Sequence, residues 1–158
     1  MATASQVHLS LDTPGVFHLP NISEEAAKTT SVTLQDNHDR HHVFYKSGFH
    51  NHIAHHLLTI YSLAPSPSQV QKHYDQNKVY QYPPKPLDES IVAELHDHEK
   101  FQKYLGNDSY HRDYLIFFQQ EIEKKGYQAV INEYVLKGDK RADDMLVRMH
   151  AGNSLVET

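Results

Sequence analysis

The amino-acid sequence predicts an all-α protein built as a single helical domain, and three observations carry that reading. Apolar residues recur at three- and four-residue spacing in one segment after another; capping residues and stop signals stand at the ends of those segments; and no stretch alternates apolar with polar residues as a half-buried strand would. At 158 residues, 39% hydrophobic and 22% charged, the chain fits one domain with a real core.

Residues 1–22 hold Pro14, Gly15 and Pro20 among scattered apolar residues and read as an extended lead lying against the body. Ser23 is placed to cap a first helix, with Glu24 and Glu25 at the positive end of its dipole, running to about Tyr45 before Gly48 ends the region. A second helix over about 50–63 stops at Ala64-Pro65, because the residue before proline is steered out of the α region. "SPSQ" at 66–69 restarts helix with Ser66 as N-cap, Pro67 at the first helical position and Gln69 closing a capping box. That third helix carries Val70, His73 and Tyr74 at helical spacing and frays near Asn77, ahead of the proline-rich connector "YQYPPKPLD". Asp88 caps a helix with Ile91, Val92 and Leu95 as its stripe and Gly106 as its stop; "NDSYHRDYLIFFQQEIEKKG" repeats the plan with Tyr114, Leu115, Phe118 and Ile122 on one face and Gly126 as the stop. Two shorter helices follow, near 127–137 and 141–151.

The composition holds one anomaly, fourteen histidines, and four of them stand close together in "HNHIAHHLL" at 50–58. At about 100° per residue, His52, His55, His56 and Thr59 form one stripe, while Ile53, Leu57, Leu58, Ile60 and Tyr61 fill the opposite arc. The histidines therefore face either solvent or a cavity. Lys, Glu and Gln are better helix formers than His, yet none of them occurs between 50 and 63, and an uncharged polar face suits a pocket wall. Metal ligation has a geometric case in the i, i+4 pairs His52/His56 and His38/His42, but helical zinc and di-iron sites bring carboxylates into the cluster, and the 50–63 helix has none. Acid/base chemistry needs only neutral imidazoles beside a pocket, able to take a proton from a phenol or enol, and is the preferred reading. The candidate acid/base residues are His52, His55 and His56, with Asn51 beside them, and no metal is expected.

A net charge of −5 offers no basic face for nucleic acid or anionic lipid, and the absence of cysteine excludes disulfides, thiolate metal sites and thiol nucleophiles. The first twenty residues lack a basic stretch followed by a continuous apolar one, and no run is long enough to span a membrane, so a cytoplasmic protein is expected.

The strings "NHDRHHVFY", "GFHNHIAHHLLTIYSLAPSPSQVQKHYDQN", "YLGNDSYHRDYLIFFQQEIEKKG" and "GDKRADDMLVRMHAG" resemble the questin oxidase-like family over roughly residues 24–152. The resemblance implies an α-helical oxidoreductase of fungal aromatic polyketide metabolism that performs Baeyer–Villiger-type monooxygenation and opens the central ring of an anthraquinone. It implies molecular oxygen and NADPH as co-substrates and no tightly bound cofactor; the GxGxxG fingerprint is absent here as well. The partner implied is a small aromatic polyketide, with His52 and His56 as base and oxyanion or peroxide donor and His55 and Asn51 as orienting, substrate-binding groups. The family pattern continues past "RMHAG" into a further histidine-bearing helix and a long helical remainder, whereas "NSLVET" departs from it. The chain is accordingly divided into a lead (1–22), a helical family-like region (23–152), the N-terminal portion of a larger helical fold, and a divergent tail (153–158), with truncation expected. Two alternatives stand beside the enzyme: an inactive fragment or non-catalytic interaction module, and a histidine-ligated metal-dependent oxidase.

Overall fold

The computed structural model describes residues 1–12, 15–46 and 49–151, and the expectations for Pro14, Gly48 and the tail 153–158 lie outside them. The described residues are mostly helical, with one two-stranded antiparallel ribbon, and the chain divides into two compact units, 1–84 and 85–158.

In the first unit, helix α1 (Glu24–Arg40) starts where the sequence places it, the Ser23 side chain accepting from the Ala26 N–H. Its buried Thr30 and Thr33 return their hydroxyl protons to helix carbonyls, so burial leaves those groups satisfied. The helix stops at Arg40 and not near Tyr45. His41 is extended, and the His42 N–H donates to the Tyr82 carbonyl at 2.8 Å, a partner 40 residues away that no local signal announces. Strands β1 (Phe44–Tyr45) and β2 (Phe49–His50) then pair, Tyr45 opposite Phe49 with rings stacked at 5.8 Å.

Helix α2 (Ile53–Ser62) is shorter than expected at both ends, with His52 as its N-cap residue, and Ala64 sits at φ 52°, in the left-handed region and not the extended one that a following proline favours. At 10 residues and with no capping side chain at His52, α2 is too short to hold by propensity. Burial of Ile53, Leu57 and Tyr61 supplies what is missing, at about 1.5–3 kcal/mol for each large apolar side chain. Leu58, expected in that arc, is 44% exposed, and Ile60 sits at the edge. Helix α3 (Pro67–Lys78) carries the full capping box, Ser66 to Gln69 with Pro67 in the first turn, and buries Val70 and Tyr74. α1, α2 and α3 pack on one another around Leu34, Ile53, Leu57, Val70 and Tyr74. Two residues ahead of α1 bond to it: the Val7 N–H donates to Gln35 and the Leu9 N–H to Ser31, both at 2.8 Å.

In the second unit the expected helix over 88–106 is two helices, α4 (Glu89–Glu94, capped by Asp88) and α5 (His98–Tyr104). Asp97 makes the break, its carboxylate accepting from the Glu99 and Lys100 N–H groups in competition with the helix interior. A 3₁₀ turn (Asp108–Tyr110) leads into α6 (His111–Lys125), which Gly126 ends at φ 82°. The buried line of α6 is Asp113, Phe117 and Glu121, offset from the apolar face read in the sequence. Two of its three members are acids with assigned partners: Asp113 accepts from the Asp88 N–H at 2.8 Å, and Glu121 accepts from the Tyr134 hydroxyl at 3.0 Å. α7 (Tyr127–Ile131), a π turn (Asn132–Leu136) and α8 (Lys140–Ala151) complete the unit around Phe101, Phe117 and Tyr134.

Candidate functional site

The histidines gather in the first unit, and Asn51 is what places them. Its backbone N–H donates to the Val43 carbonyl at 2.7 Å, its amide nitrogen to Asn37 Oδ1 at 2.8 Å, and its Oδ1 accepts from the Ile53 N–H at 3.0 Å. One side chain therefore joins α1 to the start of α2 and caps the helix that His52, at the N-cap position, leaves uncapped.

The predicted stripe divides in two. His50, His52 and His55 are exposed and meet edge to face in sequence, His50 to His52 at 6.3 Å between ring centroids and His52 to His55 at 5.9 Å. His56 lies at the border of the Ile53, Leu57 and Tyr61 stripe, is half-buried, and turns toward α3, where its Nε2 stands 3.2 Å from Nδ1 of the half-buried His73. The rings thus form two groupings, an outer one of three and an inner one of two. Local spacing does not pair His73 with His56, because the two are 17 residues apart; the signal in the sequence is its place beside Val70 and Tyr74 on the buried edge of α3. A shallow groove lined by Ser68, Gln71, Lys72, Asp75 and Gln76 runs along α3 and takes in none of these histidines.

The second pair read from the sequence fails for a geometric reason. His38 is in the last turn of α1, but the helix ends at Arg40, so His42 lies beyond it, buried, with its ring 5.8 Å from Phe44. Among the described residues no three His, Asp or Glu side chains converge as ligands.

Burial lowers the pKa of His41 from the ordinary 6.5, against the opposing charge of Asp36 and with help from Lys78 and Arg40. Among the described residues its buried Nδ1 has no hydrogen-bond partner. A depressed folded pKa means that the neutral ring's contribution is fully present above 6.5 and is lost as the pH falls from there toward the lowered value. Urea denaturation at about pH 7.5 and 5.5, on either side of the histidine range, should show wild type losing more stability at low pH than His41→Phe. Equal losses in the two proteins would refute the assignment.

Comparison with known proteins places this histidine region inside a family. The family model described as questin oxidase-like matches residues 49–154, from β2 onward. The chain is 40% identical to the oxidoreductase AflY of Aspergillus parasiticus over 96% of its own length and 31% of the relative's. It is 35% identical to a questin oxidase of Aspergillus terreus and 37% identical to the Baeyer–Villiger oxidase ptaJ of Pestalotiopsis fici, in each case over 96% of this chain and 34% of the relative. The chain thus spans about a third of the length of the curated relatives it matches. No helix among the described residues is long and apolar enough to cross a membrane.

Proposed function

This chain belongs to the questin oxidase-like family, and from that premise we propose that it supplies the histidine wall of an oxidase that opens the central ring of an anthraquinone-type fungal polyketide. The observation that supports this reading most directly is the histidine-bearing helix α2, without a carboxylate or ammonium along its length, inside the region the family model matches.

A phenolic hydroxyl of a reduced or electron-rich anthraquinone gives its proton to His56 or His52, and the anion reacts with molecular oxygen at carbon. The peroxide so formed attacks the neighbouring ring carbonyl, and migration with O–O cleavage yields a lactone or, after hydrolysis, a ring-opened benzophenone acid. NADPH is the reductant where the substrate arrives as the quinone. The tasks left to the protein are proton removal, exclusion of water and orientation of the peroxide.

One distance favours a second reading. Nitrogens on a tetrahedral ion at 2.0–2.1 Å lie about 3.3–3.4 Å apart, close to the 3.2 Å between His56 and His73, so the pair also has the spacing of two ligands of one divalent ion.

The deciding experiment uses the chain alone and the chain joined to the part of a relative lying outside the match. Each is offered a hydroxyanthraquinone and oxygen, with and without NADPH, before and after chelator, and metal content is measured in parallel. Ring-opened product that survives chelation establishes the base reading; a stoichiometric metal whose removal abolishes turnover establishes the ligand reading. Absence of ring opening from every form refutes the oxidase assignment.

A further inference from the structure

Resting on the reading of His56 as a base, we infer that His73 is a positioning residue for it: His73 Nδ1 accepts a hydrogen bond from His56 Nε2–H, fixing the tautomer that leaves His56 Nδ1 as the proton acceptor.

Two imidazole nitrogens 3.2 Å apart, with ring centroids at 5.1 Å and planes at 63°, can hold one proton between them and not two. The tautomers of the two rings are therefore linked. When His56 Nε2 carries the shared proton, its Nδ1 has a free lone pair and His73 carries its own proton on Nε2. When His73 Nδ1 carries it, His56 Nδ1–H becomes a donor and the base is lost. In the productive arrangement the substrate O–H bond breaks, an N–H bond forms at His56 Nδ1, and the new imidazolium keeps its bond to the His73 lone pair. That is the service a carboxylate gives a catalytic histidine elsewhere, and no carboxylate is present on α2 to give it.

The placement of His73 is built into α3. The capping box of Ser66 and Gln69, with Pro67 in the first turn, sets where the helix begins. Val70 and Tyr74, at 0% and 2% exposure, lock its rotation against α1 and α2. His73, one residue before Tyr74, is thereby held at the edge of the buried face, opposite His56. Its backbone carbonyl accepts from Asn77 Nδ2 at 2.8 Å, a bond that does not involve the ring.

The test reads the bond itself in the 158-residue chain, treated with chelator and labelled with ¹⁵N on its histidines. Expected are a scalar coupling between His56 Nε2 and His73 Nδ1 and one dominant tautomer at His56. His73→Phe, which keeps a ring of similar size, should abolish the coupling and return His56 to the tautomer mixture of an exposed histidine. His73→Asn, whose side-chain oxygen can take the place of Nδ1, should restore the single tautomer. Circular dichroism confirms that both variants are folded, and if His73→Phe is not, His73→Asn against wild type carries the comparison. No coupling in wild type, or a His56 tautomer indifferent to His73→Phe, overturns the inference.

An activity arm in the completed protein separates this inference from the reading beneath it. There, His73→Phe should lower kcat by about 10²-fold or more with little change in KM, as when a catalytic histidine loses its tautomer, and His73→Asn should recover most of the rate. Full activity in His73→Phe beside an inactive His56→Ala overturns the positioning role alone, whereas full activity in both overturns the base.

Discussion

In the protein completed with the rest of a relative, His56→Ala is expected to lower ring-opening turnover about 10²–10⁴-fold, the usual contribution of a positioned acid or base. The exposed His8 serves as the control, and His8→Ala should leave the rate unchanged. His56 is the sharper of the α2 substitutions because it combines partial burial with a defined ring partner. His52 is exposed at the N-cap and makes no capping bond, so His52→Ala tests the outer grouping without uncapping the helix, a task Asn51 performs. Folding should survive both changes. His56→Ala removes one hydrogen bond, about 1 kcal/mol, and spares the buried Ile53, Leu57 and Tyr61. Near-normal turnover by both variants would make the histidines a solvated face and end the catalytic assignment.

The second large effect lies in the other unit, where Lys125→Met is expected to destabilise the protein by about 3 kcal/mol, the lower end for breaking a buried ion pair, because Lys125 retains 31% side-chain exposure. Its ammonium stands 2.5 Å from Glu121 and 2.8 Å from Glu133, and those two bonds raise its pKa well above the ordinary value. Burial by itself pushes Glu121 upward, but the hydrogen bonds from Lys125 and Tyr134 outweigh it and leave the carboxyl below its ordinary range. Tyr134 is pushed up to about 12, first by burial and then by its bond to Glu121. Without Lys125 a carboxylate only 3% exposed keeps the Tyr134 hydroxyl as its remaining strong donor. Glu121→Gln added to Lys125→Met should therefore recover part of the loss, since it removes the stranded charge.

The pH dependence follows from the same shifts. Glu121 and Glu133 have depressed folded pKa values, so their contribution is present above the ordinary 4.5 and is lost as the pH falls through the lowered values. Acid unfolding should be shallower in Lys125→Met than in wild type. Denaturant titrations showing a loss under about 0.5 kcal/mol, the range of ordinary surface changes, would reduce the network to a screened surface pair.

Local chemistry was legible wherever a side chain acts on its own backbone. Ser23, the Ser66–Gln69 box, Asp88 and Gly126 begin or end helices where the sequence places them, because a cap is satisfied within three residues and Gly126 at φ 82° takes a conformation that costs glycine little. Apolar spacing likewise identified Ile53 and Leu57 as core. Periodicity failed on α6 because it counts apolar residues, while the buried line there includes Asp113 and Glu121, each admitted to the interior by a donor from another element.

The sequence by itself determined the helical class, the caps at Ser23, Ser66 and Asp88, the stop at Gly126, the family, and the concentration of histidine around α2, since each depends on residue type and short spacing. The tertiary structure alone decided where α1 ends, which acids are buried, and which side chains meet: His42 donates to Tyr82, Asn51 reaches Asn37, and His56 meets His73. These partners stand 14 to 40 residues apart, and a contact across that distance is set by how whole helices pack, where local propensity has no term for the residue on the other side.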